Sequence, residues 1–338
     1  MSSAAREPEL PAVLRPIRPD DVLECIDVFH AALDALYGRF NQPPVPREPA
    51  GLQRLIQHLI DRDGDRAWLA EEPSTTADRA APRVLGFGAA SLREPHWFLS
   101  LLFVRPEAQA GGLGRRLLRQ TFPRAAAAPE GHPVPGYDAA RRQTPGVGAM
   151  STCVDALQPV STGLYAAYGI VPRVPLFSAV GDPRPARFPA LPPGVQTLPF
   201  DALAADRLAA DLAAIDQTVL GYARPADHAF WRSEARHGLL FRDAGARAPL
   251  GYGYTQASGR LGPVALLDPF LTAAALGALF TRETPRGPWL ALVPGSNDRA
   301  MVALLRSGFR FEGWPGIVAS TRAVDYLSRY LPASFALL

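Results

Sequence analysis

In WFLSLLFVRPEAQAGGLGRRLL, residues 97–118, an apolar run leads into three glycines within four residues. The run up to Val104 is apolar at nearly every position, as in a strand that is buried on both faces. Glycine lowers helix stability, so three glycines just before a helix indicate that bare backbone is needed there. We therefore predict a central strand, a turn of accessible backbone and a helix over 114–120.

The glycine turn is a candidate anion-binding site. Free N–H groups at the start of a helix, together with the helix dipole, attract negative charge. Side chains would keep a diphosphate away from these amides, so Gly111, Gly112 and Gly114 are the residues that such a site requires. Gln109 adds a hydrogen-bond donor, and the two arginines that follow the glycines add positive charge. The alternative is a tight turn between strand and helix that binds no ligand.

The charge composition excludes one kind of chemistry. The chain has 338 residues, a formal net charge of +3 and no lysine, so all 35 basic residues are arginine. Arginine keeps its proton near neutral pH and is not an amine nucleophile, which excludes catalysis by a lysine side chain. The pairs Arg115–Arg116 and Arg141–Arg142 have no aromatic residues between them, so we expect no nucleic-acid partner.

Cysteine content and hydropathy predict the compartment. The two cysteines, Cys25 and Cys153, are too few for a disulfide framework, and nothing near them has the spacing of metal ligands. No apolar stretch is long enough to cross a bilayer, and the N-terminus lacks the pattern of an export signal. We expect a cytoplasmic protein that has no metal site and makes no membrane contact.

Proline marks the division of the chain. The stretch GDPRPARFPALPPGV, residues 181–195, cannot continue a helix or form a central strand, so we predict a linker there. It separates an N-terminal domain, 1–180, from a C-terminal domain, 196–338. A second proline-rich stretch, 128–148, is predicted as a long loop. Strands alternate with amphipathic helices in the first half, which predicts a mixed α/β sheet with helices on its faces.

Three segments of the first half recur in the same order in the second half. LGFG at 85–88 matches LGYG at 250–253, residues 103–117 align without gaps on 266–280, and residues 157–170 align on 296–309. An ordered set of matches is stronger than any one of them, and it predicts two copies of one fold.

Two motifs together resemble a known family. The spacing Gln109-x-x-Gly112-x-Gly114, after a strand that ends in FVRPE, resembles the acetyl-CoA signature of the GNAT N-acetyltransferase superfamily. The segment QPVSTGLYAAYGI, 158–170, is similar to the late helix of that family, and Tyr165 and Gly169 match its motif. Gln158 stands where the family usually has Asn, and Ile170 replaces a Phe. The opening LRPIRPDD also resembles the first strand and helix start of the family.

The resemblance implies a fold class and a cosubstrate. The implied fold class is α/β, with two tandem GNAT-like domains, each a mixed, mostly antiparallel sheet flanked by helices. The implied cosubstrate is acetyl-CoA, whose pantetheine arm pairs with the edge of the central strand. The implied coenzyme-binding residues are Leu102, Phe103, Val104, Gln109, Ala110, Gly111, Gly112, Leu113, Gly114, Arg115, Gln158 and Ser161.

The resemblance also implies a mechanism. A small-molecule amine attacks the thioester directly, so the enzyme needs no nucleophile. The backbone N–H of Phe103 or a neighbour stabilises the oxyanion, and Tyr165 protonates the departing thiolate as a general acid. The alternative for Tyr165 is a tyrosine on a helix face that packs against the sheet. A different class of function is a non-catalytic acyl-CoA-binding sensor or interaction module.

The second copy has lost the residues of the motif. Thr272 aligns with Gln109, Ala275 with Gly112 and Leu304 with Tyr165, so we expect a degenerate domain that completes the acceptor site. Candidate acceptor-contacting residues are Glu24, His96, Tyr222, Arg224, Asp227 and His228. Each also has a purely structural interpretation. Glu24 is then a solvated side chain and His96 a loop histidine, while Asp227 caps a helix and His228 lies on the surface.

The C-terminal segment VDYLSRYLPASFALL is unusually apolar, which suggests that it docks, and we expect it to pack on the N-terminal domain and supply a seventh strand. In the protein N-myristoyltransferases, other two-copy members of this fold, the C-terminal carboxylate is the catalytic base. By this resemblance the α-carboxylate of Leu338 is a candidate base.

Overall fold

A computed structural model describes residues 11–47, 49–73, 82–123, 148–184 and 187–338. These residues group into two compact units. One unit takes residues 1–92, 97–150 and 167–169, and the other takes 93–96, 151–166 and 170–338. The predicted loop at 128–148 falls outside the described residues except for its last residue, as do residues 185–186 of the predicted linker. None of the helices in the described ranges is long and apolar enough to cross a membrane.

The first unit is a sheet with helices on both faces. Its elements are β1 (Val13–Pro16), α1 (Val22–Gly38), α2 (Pro49–Asp63), β2 (Ala67–Glu71), β3 (Val84–Arg93), β4 (His96–Val104) and α3 (Leu113–Thr121). The strands follow one another in the order β1-β2-β3-β4, and the β1–β2 and β2–β3 pairs are antiparallel. The strand and helix predicted from the quoted stretch are therefore confirmed as β4 and α3.

Close packing fixes α3 against the strands. Leu113 and Leu117 of α3 lie in a buried apolar cluster with residues of β2 and β3. A Cβ atom at Gly86 of β3 would lie 2.8 Å from the Phe103 carbonyl oxygen and 3.1 Å from Leu117 Cδ1. Only glycine permits this approach of strand and helix. On the other face, the ring of Phe29 in α1 lies 4.7 Å from the ring of Phe103.

The second unit holds a longer sheet. Its elements are β5 (Ala149–Asp155), α4 (Pro159–Ala166), β6 (Val171–Gly181), β7 (Val195–Pro199), α5 (Ala205–Val219), α6 (Pro225–Ser233), β8 (His237–Asp243), β9 (Pro249–Thr255), β10 (Arg260–Leu266), α7 (Thr272–Phe280), β11 (Trp289–Pro294), α8 (Asp298–Ser307), β12 (Arg310–Ser320) and β13 (Tyr330–Leu331). The strand order is β5-β12-β6-β11-β10-β9-β8-β7, and β13 pairs with β10. The pair β10–β11 is parallel, and the other neighbours are antiparallel. The predicted α/β class with mixed, mostly antiparallel pairing is confirmed.

The two halves of the sequence exchange their last strands inside this unit. Strand β12 lies between β5 and β6, although both neighbours belong to the first half. Strand β6 in turn lies between β12 and β11 of the second half. The expectation that the C-terminal tail supplies the missing strand is therefore wrong, because β12 takes that place and the tail strand β13 pairs with β10.

The two compact units do not coincide with the two sequence copies. Strands β5 and β6 are grouped with the second half because their hydrogen-bonding partners lie there. The boundaries 1–180 and 196–338 describe the repeat in the sequence and stay a prediction.

Candidate functional site

The turn between β4 and α3 is open. After a short 3-10 segment, Pro106–Ala108, Ala110 and Gly112 take left-handed φ values of 71° and 75°. A Cβ atom at Gly112 would meet nothing within 4 Å. None of the described side chains therefore fills the space above this residue, and glycine is favoured there because of its backbone conformation.

Four consecutive N–H groups of this turn are unused. The N–H groups of Arg115 and Arg116 bond to the Gly112 carbonyl oxygen, each at 3.1 Å. Within the described ranges no atom accepts a hydrogen bond from the N–H groups of Gly111, Gly112, Leu113 and Gly114. Together with the positive end of the α3 dipole, they are a candidate site for an anionic group.

The side chains around the turn divide into two roles. Gln109 Nε2 donates to the Val104 carbonyl oxygen at 2.9 Å, and Arg116 donates to the Ala12 carbonyl oxygen at 2.8 Å. Both side chains therefore brace the turn. Arg115 and Arg119 are exposed and have no acidic partner in the part of the chain that the structure describes, so their charges can act on a bound anion.

Strand β4 is irregular before the turn. Leu102 faces α3, because its Cδ1 and Thr121 Cγ2 are both close neighbours of a Cβ built at Gly88. Trp97 also reaches α3, since its Nε1 donates to the Thr121 carbonyl oxygen at 2.8 Å. Residues five positions apart point to opposite faces of a regular strand. The alternation of β4 is therefore interrupted between Trp97 and Leu102, as a β-bulge would do.

Tyr165 lies in helix α4 and keeps its proton. It is buried, and burial raises its pKa, while the hydroxyl of Ser161, one turn earlier, acts in the opposite sense. The start of α4 is held by Asp155, whose carboxylate accepts from the Leu157 N–H at 2.8 Å. The carbonyl oxygen of Gln158 accepts from the Thr162 hydroxyl at 3.0 Å, and the role of Gln158 in coenzyme binding stays a prediction.

The second unit buries a charged centre around Arg224. Its guanidinium donates five hydrogen bonds. Two go to the carboxylate of Asp216, at 3.1 Å to Oδ2 and 3.5 Å to Oδ1. The other three, each at 2.7 Å, go to the hydroxyls of Tyr252 and Tyr330 and to the Leu338 carbonyl oxygen. These five partners match all five N–H groups of an arginine. Burial opposes the charge on Arg224, but Asp216 and the tyrosines outweigh it and raise its pKa.

His228 extends this centre as a neutral ring. Burial lowers its pKa although the neighbouring carboxylate of Asp216 acts in the opposite sense. Its Nε2 lies 2.9 Å from Asp216 Oδ2 and its Nδ1 lies 2.8 Å from the Tyr254 hydroxyl. Burial also opposes the charge on Asp216, yet Arg224 and His228 lower its pKa. Since that carboxylate only accepts, we assign the proton of His228 to Nε2.

The remaining predicted acceptor residues also have protein partners. Glu24 accepts from the Val84 N–H at 3.1 Å. Asp227 pairs with Arg93 at 2.6 and 3.0 Å, and Tyr222 packs its ring 4.9 Å from the ring of His96.

His96 is buried and neutral. Burial lowers the pKa of His96 to about 4, and its Nε2 lies 3.0 Å from Ser151 Oγ. The structure brings His96, Tyr222, Arg224, Asp227 and His228 into the second unit and leaves Glu24 in the first. Their contact with a substrate stays a prediction.

Leu338 is buried in the same centre. Its carbonyl oxygen is held by Arg224, and an oxygen held by a guanidinium is a weak base. The role of Leu338 as the base of the reaction stays a prediction.

The second copy lacks an open turn. Helix α7 already begins at Thr272, so Ala275 and Gly277, the counterparts of Gly112 and Gly114, lie inside the helix. A Cβ atom at Gly277 would lie 2.6 Å from Phe188 Cβ. The space that is open in the first copy is therefore filled in the second.

Sequence reasoning missed the tyrosines of the buried centre. Tyr252 and Tyr254 alternate in β9, which places both side chains on one face of the sheet. That spacing in GYGYT is the signal that could have found them. Tyr330 carries no such signal, because it reaches Arg224 only through the pairing of β13 with β10.

The fold and the turn together describe a two-copy α/β protein that has a glycine turn after a central strand. A model of the acetyltransferase (GNAT) family matches residues 30–131. A comparison with curated proteins finds no match. The N-terminal part of the chain therefore carries a GNAT acetyltransferase domain, as the predicted resemblance implied. This family uses acetyl-CoA or another acyl-CoA as cosubstrate.

Solved structures with this fold span almost the whole chain. A proposed acetyltransferase from Pyrococcus horikoshii has a TM-score of 0.66 at 14% identity and covers 97% of this chain and 96% of its own. A GCN5-related N-acetyltransferase from Sphaerobacter thermophilus has a TM-score of 0.58 at 16% identity, with coverages of 92% and 96%. A tandem GNAT protein from the clavulanic acid biosynthesis pathway has a TM-score of 0.54 at 15% identity, with coverages of 92% and 99%. At these identities the similarity is one of fold.

Proposed function

We propose that this protein is an acetyl-CoA-dependent N-acetyltransferase that acetylates a small-molecule amine. The observation that carries the proposal is the row of unused N–H groups from Gly111 to Gly114 above an open turn. A diphosphate matches this row in charge and in its need for donors. Arg115 and Arg119 add positive charge that no carboxylate in the described part of the chain neutralises.

The proposed reaction needs two things from the protein, a donor for the oxyanion and a general acid. The amine attacks the thioester carbonyl, a C–N bond forms, the C–S bond breaks to release the thiolate of CoA, and the nitrogen gives up one proton to water, from which the tyrosinate regains the proton that it donates. A backbone N–H near the interruption of β4, at Phe103 or a neighbour, stabilises the oxyanion. Tyr165 donates its proton to the thiolate, because burial keeps its hydroxyl protonated until the thiolate forms.

The coenzyme site is tested by adding one carboxylate to the turn. Gly112→Asp is expected to raise the Kd for CoA about tenfold or more, because the new charge repels the diphosphate and its side chain enters the open space. Aspartate tolerates a left-handed φ better than most residues, which limits strain. Isothermal titration calorimetry with CoA measures the change.

A matched variant controls for this substitution. Gly194 also has a left-handed φ, +87°, and an open space around its Cβ, so Gly194→Asp adds the same charge and strain elsewhere and is expected to leave the Kd unchanged. Equal Kd values for wild type and Gly112→Asp would refute the coenzyme site. CoA binding without release of thiol from acetyl-CoA by any amine would favour the sensor function.

The role of Tyr165 is tested by removing its hydroxyl. Tyr165→Phe is expected to lower kcat about a hundredfold, which is the usual loss when a general acid is removed. The Kd for acetyl-CoA is expected to stay the same, because the ring is retained. Thiol release at saturating acetyl-CoA measures kcat, and calorimetry measures the Kd. An unchanged kcat would mean that Tyr165 only packs against the sheet.

A further inference from the structure

Strands β10 and β11 diverge in the second unit. They pair in parallel over two residues each, Arg260–Leu261 of β10 and Leu290–Ala291 of β11. Within the continuously described part of the chain, 187–338, no further residue pair joins them, although β11 runs on to Pro294. A wedge-shaped gap, the β10–β11 wedge, therefore opens between the strands, and the backbone groups on this edge of β10 need another partner.

The tail strand β13 fills the wedge. Val264 of β10 pairs with Leu331 and Ala265 pairs with Tyr330, in antiparallel register. Leu331 is buried in one apolar cluster with Val264 and with Val293 of β11. The backbone of β13 thus pairs with one side of the wedge, and the side chain of Leu331 shares a core with residues of both sides.

Contacts on either side of Leu331 hold the tail in this place. The hydroxyl of Tyr330 accepts a hydrogen bond from Arg224 at 2.7 Å. A Cβ atom at Gly262 of β10 would lie 2.5 Å from the Pro332 carbonyl oxygen, and Gly262 has a left-handed φ of 119°. Only glycine permits the tail to approach β10 this closely.

Strands β4 and β10 end in the same way. The N–H of Arg105, just after β4, bonds to the Leu85 carbonyl oxygen at 2.8 Å. The N–H of Leu267, just after β10, bonds to the Leu250 carbonyl oxygen at 2.9 Å. Leu85 and Leu250 begin the repeated segments LGFG and LGYG. These two hydrogen bonds therefore mark equivalent positions in the two copies.

The equivalence relates Val264 to Leu102, because each lies three residues before its marked N–H group. In the ungapped sequence alignment Leu102 corresponds to Ala265, which also pairs with β13. Successive N–H groups of a strand point to opposite edges, so the Val264 N–H points away from β9, toward β13. Leu102 is a predicted coenzyme-binding residue. The tail therefore pairs, in the second copy, with the counterpart of the strand that pantetheine is expected to contact in the first.

Another segment of the chain fills the counterpart of the glycine turn. Phe188 lies against Gly277, which is the counterpart of Gly114. Phe188 belongs to the predicted linker, whereas β13 belongs to the tail. Two separate segments of the chain thus take the places that a diphosphate and a pantetheine arm would need in the second copy.

We propose that β13 is an internal substitute for a pantetheine arm. It occupies a site for an extended chain that carries amide groups, and the wedge accepts pantetheine when β13 is displaced. The inference rests on the proposed function, which assigns the corresponding strand β4 to acetyl-CoA. Pantetheine carries two amide groups on a flexible chain, so it can pair with a strand edge as an added peptide strand does.

Hydrogen exchange followed by NMR tests the wild type. The N–H of Val264 is expected to exchange as slowly as that of Ala265, which points to β9, because β13 pairs with it. Neither CoA nor pantetheine is expected to change this rate, and calorimetry is expected to give one CoA per chain. Fast exchange at Val264 without ligand, or slower exchange when pantetheine is added, overturns the proposal.

Displacing β13 tests the site itself. Leu331→Asp places a carboxylate in an apolar cluster, which expels the strand. Relative to Ala265, the N–H of Val264 is expected to exchange about tenfold faster or more than in the wild type. Pantetheine at ten times its Kd is expected to slow this exchange again about tenfold. Leu331→Met keeps an apolar side chain of similar volume and is the matched control, with slow exchange at Val264 whether or not pantetheine is present.

A second variant covers the case in which the carboxylate unfolds the protein, as judged by circular dichroism. Leu331→Ala removes apolar contacts without adding a charge, and the same two changes at Val264 are expected. In the variant that is folded, unchanged exchange at Val264, or faster exchange that pantetheine does not slow, overturns the proposal.

These readouts separate the inference from the proposed function. If the wild type binds no CoA, the acetyltransferase function fails, while slowing of the Val264 exchange by pantetheine in a Leu331 variant still supports the site. If the wild type binds two CoA molecules per chain, coenzyme binding stands and the occupation of the second site by β13 fails.

Discussion

Arg224→Met is expected to lower the free energy of unfolding by about 3–5 kcal/mol, the usual loss when one partner of a buried ion pair is removed. The variant leaves the carboxylate of Asp216 charged in a site with no solvent exposure. It also removes donors from two tyrosine hydroxyls and from the Leu338 carbonyl oxygen. Methionine keeps the apolar stem of the side chain, so the loss reports on the charge and its hydrogen bonds. Denaturant unfolding measures it.

The same substitution on the surface is the control. Arg207 is half exposed and pairs with Asp211 within helix α5, so Arg207→Met is expected to cost about 0.5 kcal/mol or less. Adding Asp216→Asn to Arg224→Met is expected to restore part of the loss, because the unpaired charge is then gone. A loss below about 1 kcal/mol for Arg224→Met would show that solvent reaches the centre after substitution.

Separate expression of the two halves is expected to give no folded protein. A chain of residues 1–184 leaves β5 and β6 without β12, which lies between them, and leaves the other edge of β6 without β11. A chain of residues 185–338 leaves a gap between β11 and β12. Unpaired central strands expose backbone donors, acceptors and apolar side chains, so we expect aggregation. Soluble yield and far-ultraviolet circular dichroism measure the outcome.

Co-expression is the matched control for the separated halves. Both fragments together contain every strand, so we expect a soluble complex that elutes as one species in size-exclusion chromatography. A cooperative unfolding transition for residues 1–184 alone would contradict the strand exchange as the reason for the dependence of one half on the other.

Local patterns predicted the elements around the coenzyme turn. The apolar run and the three glycines lie close together in the sequence, and hydrogen bonds within a strand, a turn and a helix are set by near neighbours. The predicted strand appears as β4, at His96–Val104, and the predicted helix as α3, at Leu113–Thr121. The open conformation at Gly112 follows from a residue type that favours left-handed φ values.

Side-chain partners distant in sequence could not be read from these patterns. The sequence shows Arg224 and His228 as polar residues near the start of a helix, and it predicts that they contact the acceptor. The structure surrounds Arg224 with acceptors from positions 216, 252, 330 and 338, up to 114 residues away. Composition and periodicity do not reveal which remote residues meet in space, because those contacts depend on how the strands pair.

Short segments of the sequence reveal the family resemblance, the position of the glycine turn and the loss of that turn in the second copy, because each follows from local residue types. The exchange of β6 and β12 and the full pairing of the Arg224 guanidinium are visible only in the folded chain. Pairing and burial arise from the packing of remote segments, whose free energies depend on the whole assembled sheet.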